Sequence, residues 1–169
     1  TTTHMMNEPG MATSVAQVRE RLARPGLLTA ARPISDQKSG SFDIDDLDRL
    51  REIADAIFIE GDGSRHLPIK VPADHEPVVP AFSDLVLVVT GLRALGRPMS
   101  EVCHRLPTAV AQLDDPELPG RTLTPQLAAD LLRAGYLTNP KLLAWEQRRA
   151  VVLNQADDLE MVARGRRLA

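Results

Sequence analysis

Aromatic residues are scarce in this chain: three Phe, one Trp and one Tyr make up 3% of its 169 residues. Its core must therefore rest on Leu, Val, Ile and Ala. Cysteine occurs once, at Cys103, so no internal disulfide can form, and the Cys/His spacing of a metal site is missing as well. No apolar run approaches the roughly 20 residues of a membrane-spanning helix, and no signal peptide is visible. The expectation is a cytoplasmic protein with no membrane partner. A net charge of −3 supplies no basic field, which argues against nucleic acid as a main partner. Repeats and low-complexity tracts are missing too. What remains is an ordinary globular composition, 43% hydrophobic and 25% charged, in a chain long enough for one domain with a real core.

The stretch around which the rest is organised is Ala56-Ile57-Phe58-Ile59-Glu60-Gly61-Asp62-Gly63-Ser64-Arg65. Four apolar residues in a row predict a short strand buried on both faces, the habit of parallel sheets covered by helices. The run ends in two acids and two glycines. Ligands of open α/β sheets bind beyond the carboxyl ends of the strands. An acid there, with glycines that let backbone approach closely, suits a magnesium–phosphate group or a polar substrate. The same residues are also ordinary turn chemistry after a strand.

Strand-like and helix-like segments alternate along the chain. Apolar Val15, Val18 and Leu22 predict a short helix, and residues 27–34 a strand that stops near Pro33. Residues 35–42 read as a loop. Asp43 or Asp45 can cap a helix to about Ala54, with Ile44, Leu47, Leu50 and Ile53 on one face. Residues 84–90, Asp-Leu-Val-Leu-Val-Val-Thr, give the clearest strand. A short helix is expected over residues 99–106 and another within 107–120. Thr124 caps a helix that opens on Pro125 and runs to Arg133. A turn of helix over 142–149 precedes a third buried strand at 150–154, and a final helix carries Met161 and Val162. The alternation predicts α/β architecture with parallel pairing. Residues 61–83 break the pattern: Pro68, Pro72, Pro77 and Pro80 share them with His66 and His75, without periodicity. A segment this long and irregular, anchored by Val71, Val78 and Val79, is expected to be an ordered active-site loop.

A second strand end carries polar chemistry, Asn154-Gln155-Ala156-Asp157. It has the spacing of the Asn-Lys-x-Asp element of GTPases, with Gln155 in the lysine position. A carboxylate at Asp157 can accept both N1–H and the exocyclic amine of guanine, a bidentate pair that adenine cannot match. In a parallel sheet this strand end and the acidic turn would open onto one edge.

Taken together, these motifs resemble the YqeC-type proteins, accessory proteins for selenium-dependent molybdenum hydroxylases. The resemblance rests on Thr1-Thr2-Thr3-His4-Met5, on the run from Glu60 through Lys70, and on the run from Pro72 through Pro80. It continues through Val89-Thr90-Gly91-Leu92-Arg93-Ala94-Leu95-Gly96-Arg97-Pro98, His104-Arg105, Leu123-Thr124-Pro125 and Leu153-Asn154-Gln155-Ala156-Asp157. The blocks fall in order along nearly the whole chain. Gly61 stands where the family more often has alanine.

The family is similar to P-loop nucleoside triphosphatases. The resemblance implies a three-layer αβα fold with a mainly parallel sheet, in which residues 1–169 form one incomplete α/β domain. A first strand with a Gly-rich, Lys-Thr-containing phosphate loop is expected before Thr1, and a last strand and helix after Asp157. The chain then reads as truncated at both ends. The implied cofactors are Mg2+ and a nucleoside triphosphate, GTP or ATP. Asp62 would sit near the magnesium or its water, and Glu60 would orient that water or stand as a solvated strand end. Thr1, Thr2 and Thr3 would place hydroxyls near the γ-phosphate or metal, or serve β structure alone. Asn154, Gln155 and Asp157 would bind the nucleotide. Gly63, Ser64, Arg65, Lys70, His75 and Glu76 would form the substrate and phosphate loop, with Arg65 and Lys70 holding phosphate or an anionic pterin. His66 and His75 offer acid–base or metal chemistry against a plain structural role. Cys103 beside His104 could handle selenium or sulfur, or be a small core residue.

The expected function is that of a maturation factor for molybdenum hydroxylases, with a hydroxylase or its pterin cofactor as further partner. The alternatives are a molybdopterin-cofactor transferase and a non-enzymatic chaperone. Without a phosphate loop, these 169 residues are expected to bind triphosphate poorly and hydrolyse none.

Overall fold

The computed structural model describes residues 5–6, 9–139 and 148–169. They divide into two compact units, one holding residues up to 63 with 76–80, the other residues 64–75 with 81–169. The expected strand at Thr1–Thr3 and residues 142–147 of the helical turn expected over 142–149 lie outside the described residues; the last two residues of that turn, Arg148 and Arg149, are in a strand instead.

In the first unit the strands β1 (Met5–Met6), β2 (Arg32–Pro33) and β3 (Lys38–Gly40) form an antiparallel sheet in the order β1-β3-β2. The strand expected over 27–34 thus shrinks to its last residues. The chain reverses after Pro33, with Ile34 N and Ser35 N both donating to Lys38 O, and the return strand uses residues expected to be loop. Two helices pack on one another. In α1 (Val15–Arg21) Ser14 caps the first turn, accepting from Gln17 N, and the Gln17 side chain reaches back to Thr13 N at 2.8 Å. In α2 (Ile44–Arg51) Asp43 accepts from Asp46 N at 2.9 Å, and Asp45 and Asp46 complement the positive end of the helix. Val18 and Leu50 meet Ala12 and Phe42 in a small core.

The Ala56–Glu60 run is a correction to the expected buried strand. It pairs with no strand among the described residues, and exposure alternates along it: Phe58 is 85% exposed while Ile57 and Ile59 are half-buried. The reason lies across from it. Residues 76–80 approach Gly61, where Val78 N donates to Gly61 O at 3.1 Å, but Pro77 and Pro80 have no N–H to give to a ladder.

In the second unit β4 (Ile69–Lys70), β5 (Leu85–Gly91), β6 (Cys103–His104) and β7 (Arg148–Asn154) make two parallel pairs, β4 with β6 and β5 with β7. The expected parallel pairing is present, in register from Leu85 opposite Arg148 to Gly91 opposite Asn154. A single large sheet is not found among the described strands. Pro68 and Pro72 bracket β4 and Pro107 follows β6, so neither can extend far. Only β5 supplies buried residues to this pair, Val88 and Thr90, with Val88 packed against Leu132 and Tyr136. The buried strand expected at 150–154 is instead open, with Val151 37% and Val152 39% exposed. The alternate positions Leu85, Leu87 and Val89 stay 45%, 47% and 59% exposed, against the expectation of burial on both faces.

The helices of this unit are α3 (Met99–Val102), α4 (Leu106–Leu113), α5 (Pro125–Leu132) and α6 (Leu159–Leu168). One helix expected over 99–106 is instead split. Pro107 cannot donate back to the Cys103 carbonyl, so a helix must start afresh there, and Arg105 turns the chain with a left-handed φ of 64°. Thr124 caps α5 as expected, accepting from Leu127 N. Beyond Leu132 the helix widens into a π turn over Arg133–Leu137, where Gly135 lies against the Pro72 ring. Leu92, Met99, Leu118, Leu123 and Leu131 fill the core. Mixed helices with small parallel strand pairs are compatible with the α/β class.

Candidate functional site

The parallel β5–β7 pair ends at Gly91 and Asn154, and polar residues gather at this carboxyl edge. Asn154 folds its side chain back so that Oδ1 accepts from Gln155 N at 2.8 Å. Gln155 takes a left-handed backbone, φ 63°, a conformation uncommon outside glycine. That twist turns its side chain inward against Gly91. A Cβ on residue 91 would stand 2.8 Å from the Pro68 side chain and closer still to Gln155 Oε1, so glycine is required there. Gly91 N donates to Pro68 O at 2.7 Å, fastening the 64–75 segment to the strand end. Gln155 Oε1 is buried without a hydrogen-bond partner.

Asp157 lies on the open side of this turn. Its Oδ2 is 2.9 Å from Arg93 Nη2, with the two side chains 55% and 65% exposed. Arg93 belongs to the 3-10 turn Leu92–Ala94 that leaves β5. Asp158 caps α6, accepting from Met161 N at 2.8 Å, and Arg164 of that helix reaches Leu95 O at 3.4 Å. The edge is thus cross-braced twice, by Gln155 on Gly91 and by Asp157 on Arg93. Sequence reasoning gave Arg93 and Gly91 no role; the signal was their place directly after the apolar run Leu-Val-Leu-Val-Val-Thr.

The other expected site residues divide between the units. Glu60, Asp62, Gly63 and Glu76 belong to the first, with Glu60 exposed, Asp62 and Gly63 half-buried, and Glu76 buried. Ser64, Arg65, Lys70 and His75 belong to the second. Ser64 O accepts from Leu67 N at 3.0 Å across a turn in which Arg65 and His66 both adopt left-handed backbone. Arg65, His66 and His75 are exposed, whereas Lys70 is buried on β4 opposite His104. Thr1, Thr2 and Thr3 lie outside the described residues.

No three His, Cys, Asp or Glu side chains among the described residues gather as a metal cage. Cys103 is 5% exposed, and burial pushes its thiol up to about 11. A thiol held protonated in a core is a poor nucleophile, which favours packing over sulfur or selenium transfer.

The sequence profile of the YqeC protein family matches residues 1–107. The chain belongs to this family. It is also similar to a protein of Escherichia coli (strain K12) named "Uncharacterized protein YqeC", 41% identical over 76 residues, which is 38% of this chain and 30% of that protein. The matched segment therefore spans less than a third of that relative's length. No solved structure matches. The family match covers the acidic turn, the 64–75 segment, Gly91 and Arg93, while Asn154–Asp157 lies beyond it.

Proposed function

We propose that this chain forms the base-reading part of a P-loop-like nucleotide-binding domain in a maturation factor for molybdenum hydroxylases. The observation that carries the reading is the carboxyl edge of the parallel β5–β7 pair, where Asn154-Gln155-Ala156-Asp157 follows the strand in a fixed turn. Parallel strands collect ligands at that edge. Asp157, with its side chain 55% exposed, offers two carboxylate oxygens to the N1–H and N2–H donors of guanine. Adenine presents an acceptor at N1 and gains nothing there. The hydroxylase partner rests on the family resemblance alone.

Nucleotide without a dedicated phosphate loop binds weakly, so the test is NMR titration of the 169-residue chain with GTP and ATP at millimolar concentration. GTP is expected to shift the amide signals of residues 154–157 and ATP to leave them in place, with Asp157→Asn abolishing the difference. Equal responses to the two nucleotides, or a GTP response that survives Asp157→Asn, would overturn the reading.

A further inference from the structure

Asp157 does not stand free at the strand edge: Arg93 already occupies Oδ2 at 2.9 Å. We infer that Arg93 is a specificity-determining residue that competes with the base for Asp157, so that purine recognition proceeds by exchange of one donor for another. This inference rests on the base-reading role given to Asp157 above.

The geometry supports competition over simple support. A guanine edge donates two hydrogens about 2.3 Å apart and engages both oxygens of one carboxylate, as a bidentate arginine does. With Oδ2 shared by Arg93, the base meets only Oδ1 unobstructed, and full pairing requires the guanidinium to move off. It can move, because Arg93 is 65% exposed and sits at the tip of a short 3-10 turn. The turn that presents Asp157 does not depend on it. Asn154 Oδ1 with Gln155 N, the Gln155 side chain on Gly91, and the Asp158 cap on Met161 N hold the backbone on either side. Arg93 can therefore be removed without unseating the carboxylate. Adenine has no donor at N1, so it cannot displace the guanidinium from Asp157. An exposed pair costs little to break, and the expected effect is correspondingly small, about two- to fivefold in affinity.

The test is titration with guanosine and adenosine, which lack phosphate and so report the base contact alone. Arg93→Ala is expected to tighten guanosine about two- to fivefold while leaving adenosine unchanged. Arg93→Lys, which keeps the competing cation, should stay near wild type. Unchanged or weaker guanosine binding in Arg93→Ala overturns the competition. If guanosine binds Asp157→Asn as well as it binds wild type, the base-reading role itself fails and the competition falls with it; loss in Asp157→Asn together with no gain in Arg93→Ala rejects the competition alone.

Discussion

Two apolar runs of similar composition meet different fates in this protein. Leu85–Gly91 becomes a seven-residue strand, while Ala56-Ile57-Phe58-Ile59 forms no strand among the described residues. Neither run lacks β propensity. The difference lies in what each finds alongside. Opposite Leu85–Gly91 lies Arg148–Asn154, a seven-residue segment without proline, whose amides and carbonyls can complete a ladder. Opposite Gly61 lies Glu76-Pro77-Val78-Val79-Pro80, where the Val78 amide bonds Gly61 O and the two prolines have no N–H for a ladder. A strand is a property of a pair, and the pairing partner of an apolar run is not written in the run itself.

The sharpest way to break this comparison is to place a charge in each run. Val88 is 6% exposed, so Val88→Asp buries an unpaired carboxylate and should cost about 3–5 kcal/mol, enough to unfold a marginal protein. Phe58→Asp, at a side chain 85% exposed, should change stability by no more than about 0.5 kcal/mol. Denaturant midpoints with unchanged slopes are the measurement. Comparable losses in the two variants would mean that Phe58 is buried in solution, and the contrast between the runs would collapse.

A second contrast sets the buried thiol against the exposed edge of the same unit. Burial raises the Cys103 thiol from 9.0 to about 11, so at pH 8 the folded chain carries about a hundredfold less thiolate than the unfolded one. A disulfide reagent should react at least that much more slowly with native protein than with protein in denaturant. The sign for stability follows. The unfolded chain loses its thiol proton first, so stability is unaffected below 9.0 and falls between 9.0 and about 11. Cys103→Ala should remove that part of the pH slope. Rapid labelling of native protein at pH 8 would return Cys103 to the list of reactive groups.

The two strand ends can be compared through their glycines. Gly91→Ala must push Gln155 and Pro68 aside and is expected to cost about 1–3 kcal/mol while disturbing the Asn154–Asp157 turn. At Gly61 an added Cβ meets Val78 O at 3.2 Å and the Pro77 side chain at 3.5 Å. Gly61→Ala should stay within about 1 kcal/mol of wild type, because lost chain entropy in the unfolded state offsets the tight contact. Thermal midpoints separate the two cases, and amide spectra would show whether residues 154–157 move only in Gly91→Ala.

What could be read beforehand follows the range over which each signal acts. Caps are local, so Asp43 and Thr124 announced their helices correctly. The runs at 85–90 and 150–154 announced strands, and the α/β alternation announced that they pair in parallel. Three features depended on distant residues and were not legible: the missing partner of Ala56–Glu60, the hairpin return at Lys38–Gly40, and the open face carrying Leu87 and Val89. At the candidate site, Asn154 and Asp157 were visible by spacing. The hold of Arg93 on Asp157 was not, since it joins residues far apart in the chain.

The smallest expected effect asks whether a helix start in the first unit rests on its cap or on its charge. Asp43 does two things: it accepts from Asp46 N at 2.9 Å, and it pairs with Arg32 at 3.0 Å. The hydrogen bond that Arg32 donates to Asp46 is the main cause that raises the Arg32 pKa, so Arg32 keeps a partner when Asp43 is neutralised. The Asp43–Arg32 pair is open to water, with side chains 55% and 46% exposed, and solvent screens it. Asp43→Asn keeps the cap acceptor and should leave stability unchanged within error, whereas Asp43→Ala removes it and should cost about 1 kcal/mol. Equal losses in the two variants would assign the stabilisation to the carboxylate's charge. A loss in Asp43→Ala alone assigns it to the cap, the same local device that starts α5 at Thr124 in the second unit.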